Sequence, residues 1–129
     1  MTGSKILLVD DEIVFTKNIS KLLKYRGFKV TAVNSGDAAI QELEKSSYDV
    51  IVLDLKMPGM DGITTLKEIQ KLGLFSQTLI LTGHGSVDSA MDAIKLGAYD
   101  YLVKPCEIDE LVNKINGAWE RKEDIISLG

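Results

Sequence analysis

Charged and polar side chains stand where short apolar runs of this sequence end. The stretch LLVDDE, residues 7–12, passes from aliphatic side chains directly into three carboxylates. Three further runs are each followed directly by a reactive group: the carboxylate of Asp54, the hydroxyl of Thr82 and the ammonium group of Lys104. If these runs are neighbouring strands, the polar groups that follow them form one cluster.

The chemistry of such a cluster is restricted. Carboxylates held close together either raise one another's pKa or bind a cation. Oxygen ligands without a His or Cys partner suit Mg²⁺ better than zinc, and a single lysine leaves negative charge in surplus. A carboxylate beside Mg²⁺ can act as a nucleophile and carry an acyl phosphate. A lysine and a hydroxyl donor would then hold the phosphoryl oxygens.

Five short apolar runs alternate with amphipathic helical patterns, which predicts five β-α units. Four runs are almost continuously apolar, as is typical of parallel strands that are covered on both faces. The run at 28–33 instead alternates, which favours an edge strand. The five runs are Ile6–Val9, Phe28–Val33, Val50–Leu53, Leu79–Leu81 and Tyr101–Val103.

Strict alternation of strands and helices predicts a parallel sheet with helices on both faces. Ser35, Asp61 and Ser86 precede helical patterns and are predicted to cap them. Ligands of open α/β sheets bind beyond the carboxyl ends of the strands. The reactive residues are therefore predicted to meet in one crevice at that edge of the sheet.

Composition sets the broad class of the protein. The 129 residues suit a single domain over 1–129, with a core at about 5–120 and a charged tail at 121–129. A net charge of −4 argues against direct binding of nucleic acid. The sequence has no apolar run that approaches the ~20 residues of a membrane span. A lone cysteine and no export signal favour a cytoplasmic protein.

Four motifs in chain order resemble the receiver domain of bacterial two-component response regulators. They are VDDE at 9–12, LDLKMPGMDG at 53–62, LTGHGS at 81–86 and GAYDYLVKP at 97–105. The resemblance covers about residues 5–120. It implies an α/β fold of the flavodoxin-like, doubly wound (βα)5 type, whose five-stranded parallel sheet has the order 2-1-3-4-5.

The resemblance also implies a magnesium-dependent phosphorylation site. Asp54 accepts a phosphoryl group from a sensor histidine kinase or a phosphotransfer protein. Mg²⁺ is the cofactor, bound directly by Asp11, Asp54 and the main-chain carbonyl of Lys56, and through water by Asp10. Glu12 is expected to be only an ordinary acid of the first helical turn, where negative charge suits the helix dipole.

A conformational switch is the second implication of the resemblance. Lys104 contacts the phosphoryl group, and its bond to Pro105 is cis. Thr82 moves toward the phosphoryl group while Tyr101 rotates inward, which changes the surface of the fourth helix, fifth strand and fifth helix. The domain is then a regulatory module rather than an enzyme acting on an external substrate. Its output is a downstream effector protein or an output domain, and a phosphorylation-dependent homodimer is compatible with it.

Two residues near the phosphoacceptor are hypothesised to set the lifetime of the phospho-aspartate. Lys56 lies two residues after Asp54, and His84 lies two residues after Thr82 on the opposite lip of the crevice. Both would act by positioning or excluding the attacking water.

Three other functions are weaker alternatives. A magnesium-dependent phosphatase with an aspartyl nucleophile typically has a second acid two residues after that nucleophile, where this sequence has Lys56. A flavin or nucleotide binder needs a phosphate-cradling loop after the first strand, and the acids at 10–12 would repel phosphate. A receiver-like interaction scaffold that is never phosphorylated would not need the complete set of site residues.

Overall fold

The computed structural model describes residues 4–57, 59–83 and 87–128, and in these ranges strands and helices alternate along the chain. The strands are β1 (Lys5–Val9), β2 (Lys29–Val33), β3 (Val50–Leu53), β4 (Gln77–Thr82) and β5 (Asp100–Val103). The helices are α1 (Ile13–Tyr25), α2 (Gly36–Lys45), α3 (Gly62–Lys71), α4 (Val87–Lys95) and α5 (Ile108–Leu128).

All strand pairs are parallel, and the sheet has the order β2-β1-β3-β4-β5. The predicted fold class, the strand order and the edge position of the second strand are therefore confirmed. Strand β4 starts two residues earlier than its apolar run, because Gln77 pairs with Val50 and Thr78 with Ile51. Pairing with a neighbour extends the strand over polar residues that hydrophobicity alone does not mark.

Each face of the sheet is covered by helices, so the protein has two hydrophobic layers. Leu7 and Val9 pack with α2, α3 and α4 on one face, and Ile6 and Leu8 pack with α1 and α5 on the other. Successive side chains of a strand point to opposite faces. A strand covered on both faces must therefore be apolar throughout, which explains the continuous apolar runs.

Two predicted helix caps are present. The Ser35 hydroxyl accepts a hydrogen bond from the Ala38 N–H at 3.1 Å, and the Asp61 carboxylate accepts one from the Thr64 N–H at 2.8 Å. Each bond satisfies one of the free amide groups at a helix start. The third predicted cap, Ser86, lies outside the described residues.

The predicted tail continues the last helix, since α5 extends to Leu128. Lys122 of this helix lies 2.6 Å from a carboxylate oxygen of Asp49, whose other oxygen accepts a hydrogen bond from the Lys5 N–H at 2.8 Å. Burial alone would raise the pKa of Asp49, but these bonds and charges hold it below its usual value. They fasten α5 to the amino-terminal edge of the sheet. Within the described ranges, every helix is too short or too polar to cross a bilayer.

Candidate functional site

The candidate site lies at the carboxyl edge of the sheet, where backbone hydrogen bonds hold each key residue just beyond its strand. The Asp54 N–H donates to the Val9 carbonyl at 2.9 Å, and the Lys104 N–H donates to the Thr82 carbonyl at 2.7 Å. The Asp10 N–H donates to the last carbonyl of β2 at 3.2 Å. Parallel pairing thus continues one residue past the strands and places these side chains at one edge.

Three carboxylates converge there. Asp10, Glu12 and Asp54 each offer an oxygen atom within 4.8 Å of the others. Asp10 and Asp54 are almost fully buried, with 1% and 4% exposure, whereas Glu12 is exposed. Two buried anions at this separation repel each other strongly unless positive charge lies beside them.

Lys104 supplies positive charge from the end of β5. Its ammonium group lies 2.6 Å from Asp10, 2.7 Å from Glu12 and 3.6 Å from Asp54. It also stands 4.3 Å from the centre of the Phe15 ring, within cation–π range. Burial alone would lower the pKa of Lys104, but its bonds to Asp10 and Glu12 and the nearby charges raise it. The ammonium group therefore stays charged.

The pKa of Asp10 is raised although Lys104 lies beside it. Burial raises the pKa of Asp10, and the charge of Asp54 adds to that effect. The hydrogen bonds from Lys104 and from the Glu12 N–H oppose the shift without cancelling it. A divalent cation would favour the ionised form, and the oxygen-only donor set suits Mg²⁺. The residues present fit a magnesium site.

The phosphoacceptor candidate is surrounded by donors. One oxygen of Asp54 accepts hydrogen bonds from the Thr82 hydroxyl at 2.8 Å and from the Lys56 N–H at 3.2 Å. The other oxygen faces Lys104. The Lys56 side chain is exposed, so this residue meets the site through its backbone.

The other residues predicted for the site lie outside the cluster of Asp10, Glu12, Asp54 and Lys104, or outside the described residues. Asp11 is partly buried and lies outside the carboxylate group found among the described residues, so its role as a direct ligand stays a prediction. Tyr101 is half-buried and packs against the helical layer that contains α4. The peptide bond between Lys104 and Pro105 is cis, as the resemblance implies. His84 lies outside the described residues.

The expectation for Glu12 was wrong. Glu12 stands at the cap position before α1, its backbone is extended, and its carboxylate contacts Lys104 instead of the first helical turn. Being one residue outside the helix lets its side chain turn back across the strand ends. Two further contacts of the site are not predicted from the sequence: the Phe15 ring lies under Lys104, and the Asn34 amide donates to the Asp10 carbonyl at 2.8 Å. No local pattern marks these contacts.

Gly62 packs against the backbone that carries the Asp54 side chain. Gly62 begins α3, and its N–H donates to the Leu55 carbonyl at 3.0 Å. A Cβ atom at this position would lie 2.2 Å from the Leu55 Cα and 2.5 Å from the Asp54 carbonyl oxygen. Only glycine lets the helix start approach the backbone that carries Asp54 this closely. Its place in MDG, directly after the cap Asp61, is the one signal in the sequence.

Gly62→Ala is therefore expected to lower the free energy of unfolding by about 1–3 kcal/mol, the usual cost of overpacking, and to weaken binding of Mg²⁺. Urea unfolding and a magnesium titration followed by NMR measure the two effects. Gly83→Ala, directly after β4, is the matched control, because a Cβ there meets no atom of the described residues within 4 Å. Equal stability and equal magnesium affinity in the two variants would contradict this role of Gly62.

Comparison with known proteins places these features in a family. The sequence profile of the response regulator receiver domain matches residues 6–116. The transcriptional regulatory protein ZraR of Escherichia coli K12 is 42% identical over 106 residues, which are 82% of this chain and 24% of ZraR. FixJ of Bradyrhizobium diazoefficiens is 38% identical over 122 residues, covering 95% of this chain and 60% of FixJ. The chain thus spans about a quarter of ZraR and three-fifths of FixJ.

Solved structures agree with this assignment. A receiver domain protein from Clostridium thermocellum superposes with a TM-score of 0.89 at 39% identity, covering 95% of this chain and 98% of that one. The receiver domain of the Francisella response regulator 1452 gives a TM-score of 0.84 at 33% identity, with coverage of 92% and 98%.

Proposed function

This chain belongs to the family of response regulator receiver domains, and we propose that it is a phosphorylation-controlled switch whose phosphoacceptor is Asp54. The family assigns a regulatory role. One observation supports the proposal above all: the buried Asp54 carboxylate lies 2.8 Å from the Thr82 hydroxyl and 3.6 Å from the Lys104 ammonium group. The incoming phosphoryl group is taken from a sensor histidine kinase or a phosphotransfer protein.

The chain's own residues supply positioning and charge for the transfer. An Asp54 oxygen attacks phosphorus, the bond from phosphorus to the donor nitrogen breaks, and that nitrogen keeps the electron pair and takes a proton. The Thr82 hydroxyl, the Lys56 N–H and the Lys104 ammonium already surround the Asp54 carboxylate. These three donors are close enough to hold the phosphoryl oxygens once Asp54 carries the group.

The proposed cofactor is Mg²⁺, held by Asp11, Asp54 and the Lys56 carbonyl, with Asp10 bound through water. When bound, Mg²⁺ supplies positive charge that neutralises phosphoryl oxygens. The buried pair Asp10 and Asp54 provides the negative field that such a site requires. Glu12 adds a third carboxylate at the solvent-exposed rim.

The proposed output signal begins when the Thr82 hydroxyl changes its hydrogen-bond acceptor. Its hydroxyl now donates to the Asp54 carboxylate and is proposed to turn to a phosphoryl oxygen, with Tyr101 rotating inward behind it. A phosphoryl group that binds this arrangement better raises its population. The altered surface of α4, β5 and α5 then meets an effector, an output domain or a second copy of the chain.

Related proteins favour a transcriptional output, since ZraR is named a transcriptional regulatory protein and FixJ likewise. The absence of direct nucleic-acid contact by these residues, the cytoplasmic location and the single-domain organisation over 1–129 stay predictions. The phosphatase alternative finds no support at position 56, where an exposed lysine stands in place of an acid.

Incubation with Mg²⁺ and acetyl phosphate is expected to add one phosphoryl group to Asp54. Intact-protein and peptide mass spectrometry measure the adduct, and Asp54→Asn is expected to carry none. Thr82→Ala should still be phosphorylated but should lose the NMR shift changes at residues 100–103 that accompany phosphorylation. An unmodified protein, or equal labelling of Asp54→Asn, would contradict the proposal, and turnover of small phosphate esters would favour the phosphatase.

Magnesium binding distinguishes the two acids beside Asp10. Asp11→Asn is expected to weaken Mg²⁺ binding by at least roughly tenfold, or 1.4 kcal/mol, because it removes a direct ligand. Glu12→Gln should cost less than about fivefold, since an exposed charge contributes at most about 1 kcal/mol. Isothermal titration calorimetry measures both affinities. If Glu12→Gln weakens Mg²⁺ binding more than Asp11→Asn does, then Glu12 and not Asp11 is the direct ligand.

Lys56→Ala and His84→Ala are each expected to change the rate at which phospho-Asp54 hydrolyses, because both residues are proposed to control access of water. The decay of the phosphorylated form by mass spectrometry measures the rate. Lys67→Ala, an exposed lysine on α3, is the control that should leave it unchanged. If both test variants decay like the unmodified sequence, neither residue sets the lifetime.

A further inference from the structure

Positive charge is concentrated in one part of the chain, and its basic side chains lie outside the proposed phosphorylation site. The segment 13–33, which contains α1 and β2, holds five of the 15 lysines and arginines and none of the 19 acidic residues. Three of these lysines, Lys17, Lys21 and Lys24, are exposed and lie on one flank of α1, since residues three and four apart share a helix face.

This basic flank borders a groove, here called the α1–β2 groove, with a volume of about 370 Å³. Its size is in the range of binding pockets. Small side chains at Ser20 and Ala32 leave the space open between the helix and the edge strand. The lysines Lys17, Lys21 and Lys24 line the groove on the helix side, and Val30 and Ala32 line it on the strand side.

The strand side of the groove carries backbone groups that the sheet does not use. Strand β2 is at the edge of the sheet, and among the described strands it pairs only with β1. The Lys29 N–H donates to the Ser4 carbonyl, and the Val33 carbonyl accepts from Asp10, so Lys29 and Val33 face β1. Because backbone groups alternate in direction along a strand, those of Val30 and Ala32 face away from β1.

A side-chain hydroxyl in the wall of the groove also has unused capacity. The Ser20 Oγ is buried and has no hydrogen-bond partner within the part of the chain that the structure describes. A buried hydroxyl without a partner is costly. Rotation of the Ser20 side chain toward the groove would let an acceptor of a ligand remove that cost.

We propose that the α1–β2 groove binds an extended acidic segment of a partner protein. The segment lies along β2, exchanges backbone hydrogen bonds with Val30 and Ala32, and places carboxylates against Lys17, Lys21 and Lys24. Strand addition of this kind takes affinity from the main chain and specificity from side-chain contacts. The lysines thus select for acidic residues, while the open edge selects for an extended backbone.

Charge complementarity favours a short acidic peptide over nucleic acid. Outside residues 13–33 the chain has ten basic and 19 acidic residues, so a long polyanion that extends past the groove meets repulsion. The described residues that line the groove belong to α1, β2 and the loop after β2, and not to α4, β5 or α5. One of them, Asn34, also donates to the Asp10 carbonyl.

The test uses two bead-displayed libraries of nine-residue peptides. One library has Asp or Glu at every second position, and the other has Asn or Gln at the same positions, so the two differ in charge but hardly in shape. Enrichment from the acidic library alone is expected, with dissociation constants that weaken as salt rises. NMR shift changes caused by the best peptide should lie at Ser20, Val30 and Ala32.

Two variants with the same change of net charge locate the interaction. The triple variant Lys17→Glu, Lys21→Glu, Lys24→Glu is expected to weaken binding of the best peptide at least tenfold. The triple variant Lys67→Glu, Lys95→Glu, Arg121→Glu changes three other exposed positions and should change it less than twofold. Acetyl phosphate should label Asp54 equally in both variants, which separates this inference from the proposed function.

Alternate N-methylation of the peptide tests strand addition without altering the protein. Methylation of the amides that face β2 should abolish binding, and methylation of the other set should not.

Four results would overturn the proposal. They are equal enrichment from both libraries, equal loss in the two triple variants, indifference to methylation, and tighter binding of a single-stranded oligo-dT than of the peptide. In any of these cases the lysines only shield the exposed edge of the sheet.

Discussion

Parallel pairing of the strands is the constraint on which the rest of this structure depends. Because every strand points the same way, every carboxyl end lies at one edge, and residues distant in the sequence become neighbours there. Backbone hydrogen bonds extend this order beyond the strands: the Asp54 N–H reaches the Val9 carbonyl and the Lys104 N–H reaches the Thr82 carbonyl. The same pairing requires helices on both faces, and hence the continuous apolar runs. Fold and site follow from one arrangement of the backbone.

Electrostatic imbalance gives this site its chemistry. Asp10 and Asp54 are held almost without exposure, and Lys104 is the cation that bridges them to the exposed Glu12. Burial raises the pKa of Asp10 even with Lys104 beside it, so the site gains from a further cation. A phosphoryl group on Asp54 would bring further negative charge, which is opposite in sign to that cation. Metal binding and phosphorylation are therefore expected to support each other, because each neutralises what the other adds.

The distribution of charge also divides the surface into regions with different tasks. Acidic side chains gather at the strand ends, whereas all charged residues of the segment 13–33 are basic. The exposed edge of β2 lies beside the basic flank of α1, whereas Lys122 of α5 pairs with Asp49 at the amino-terminal ends of the strands. Small open sheets always leave two edge strands, and charge beside an edge controls what can pair with it. In this chain that charge favours acidic partners.

The sequence by itself determined the elements, the sheet order through its family resemblance, and the residues at the strand ends. Continuous apolar runs mark buried strands, and Ser35 and Asp61 mark helix starts, because these signals are local. Only the tertiary structure decided the directions of side chains at the site. It placed Glu12 against Lys104, 92 residues away, and left Asp11 outside the carboxylate cluster of the described residues. It also required glycine at position 62. Contacts of this kind depend on how separate strand ends face one another in space, and no periodicity along the chain encodes that geometry.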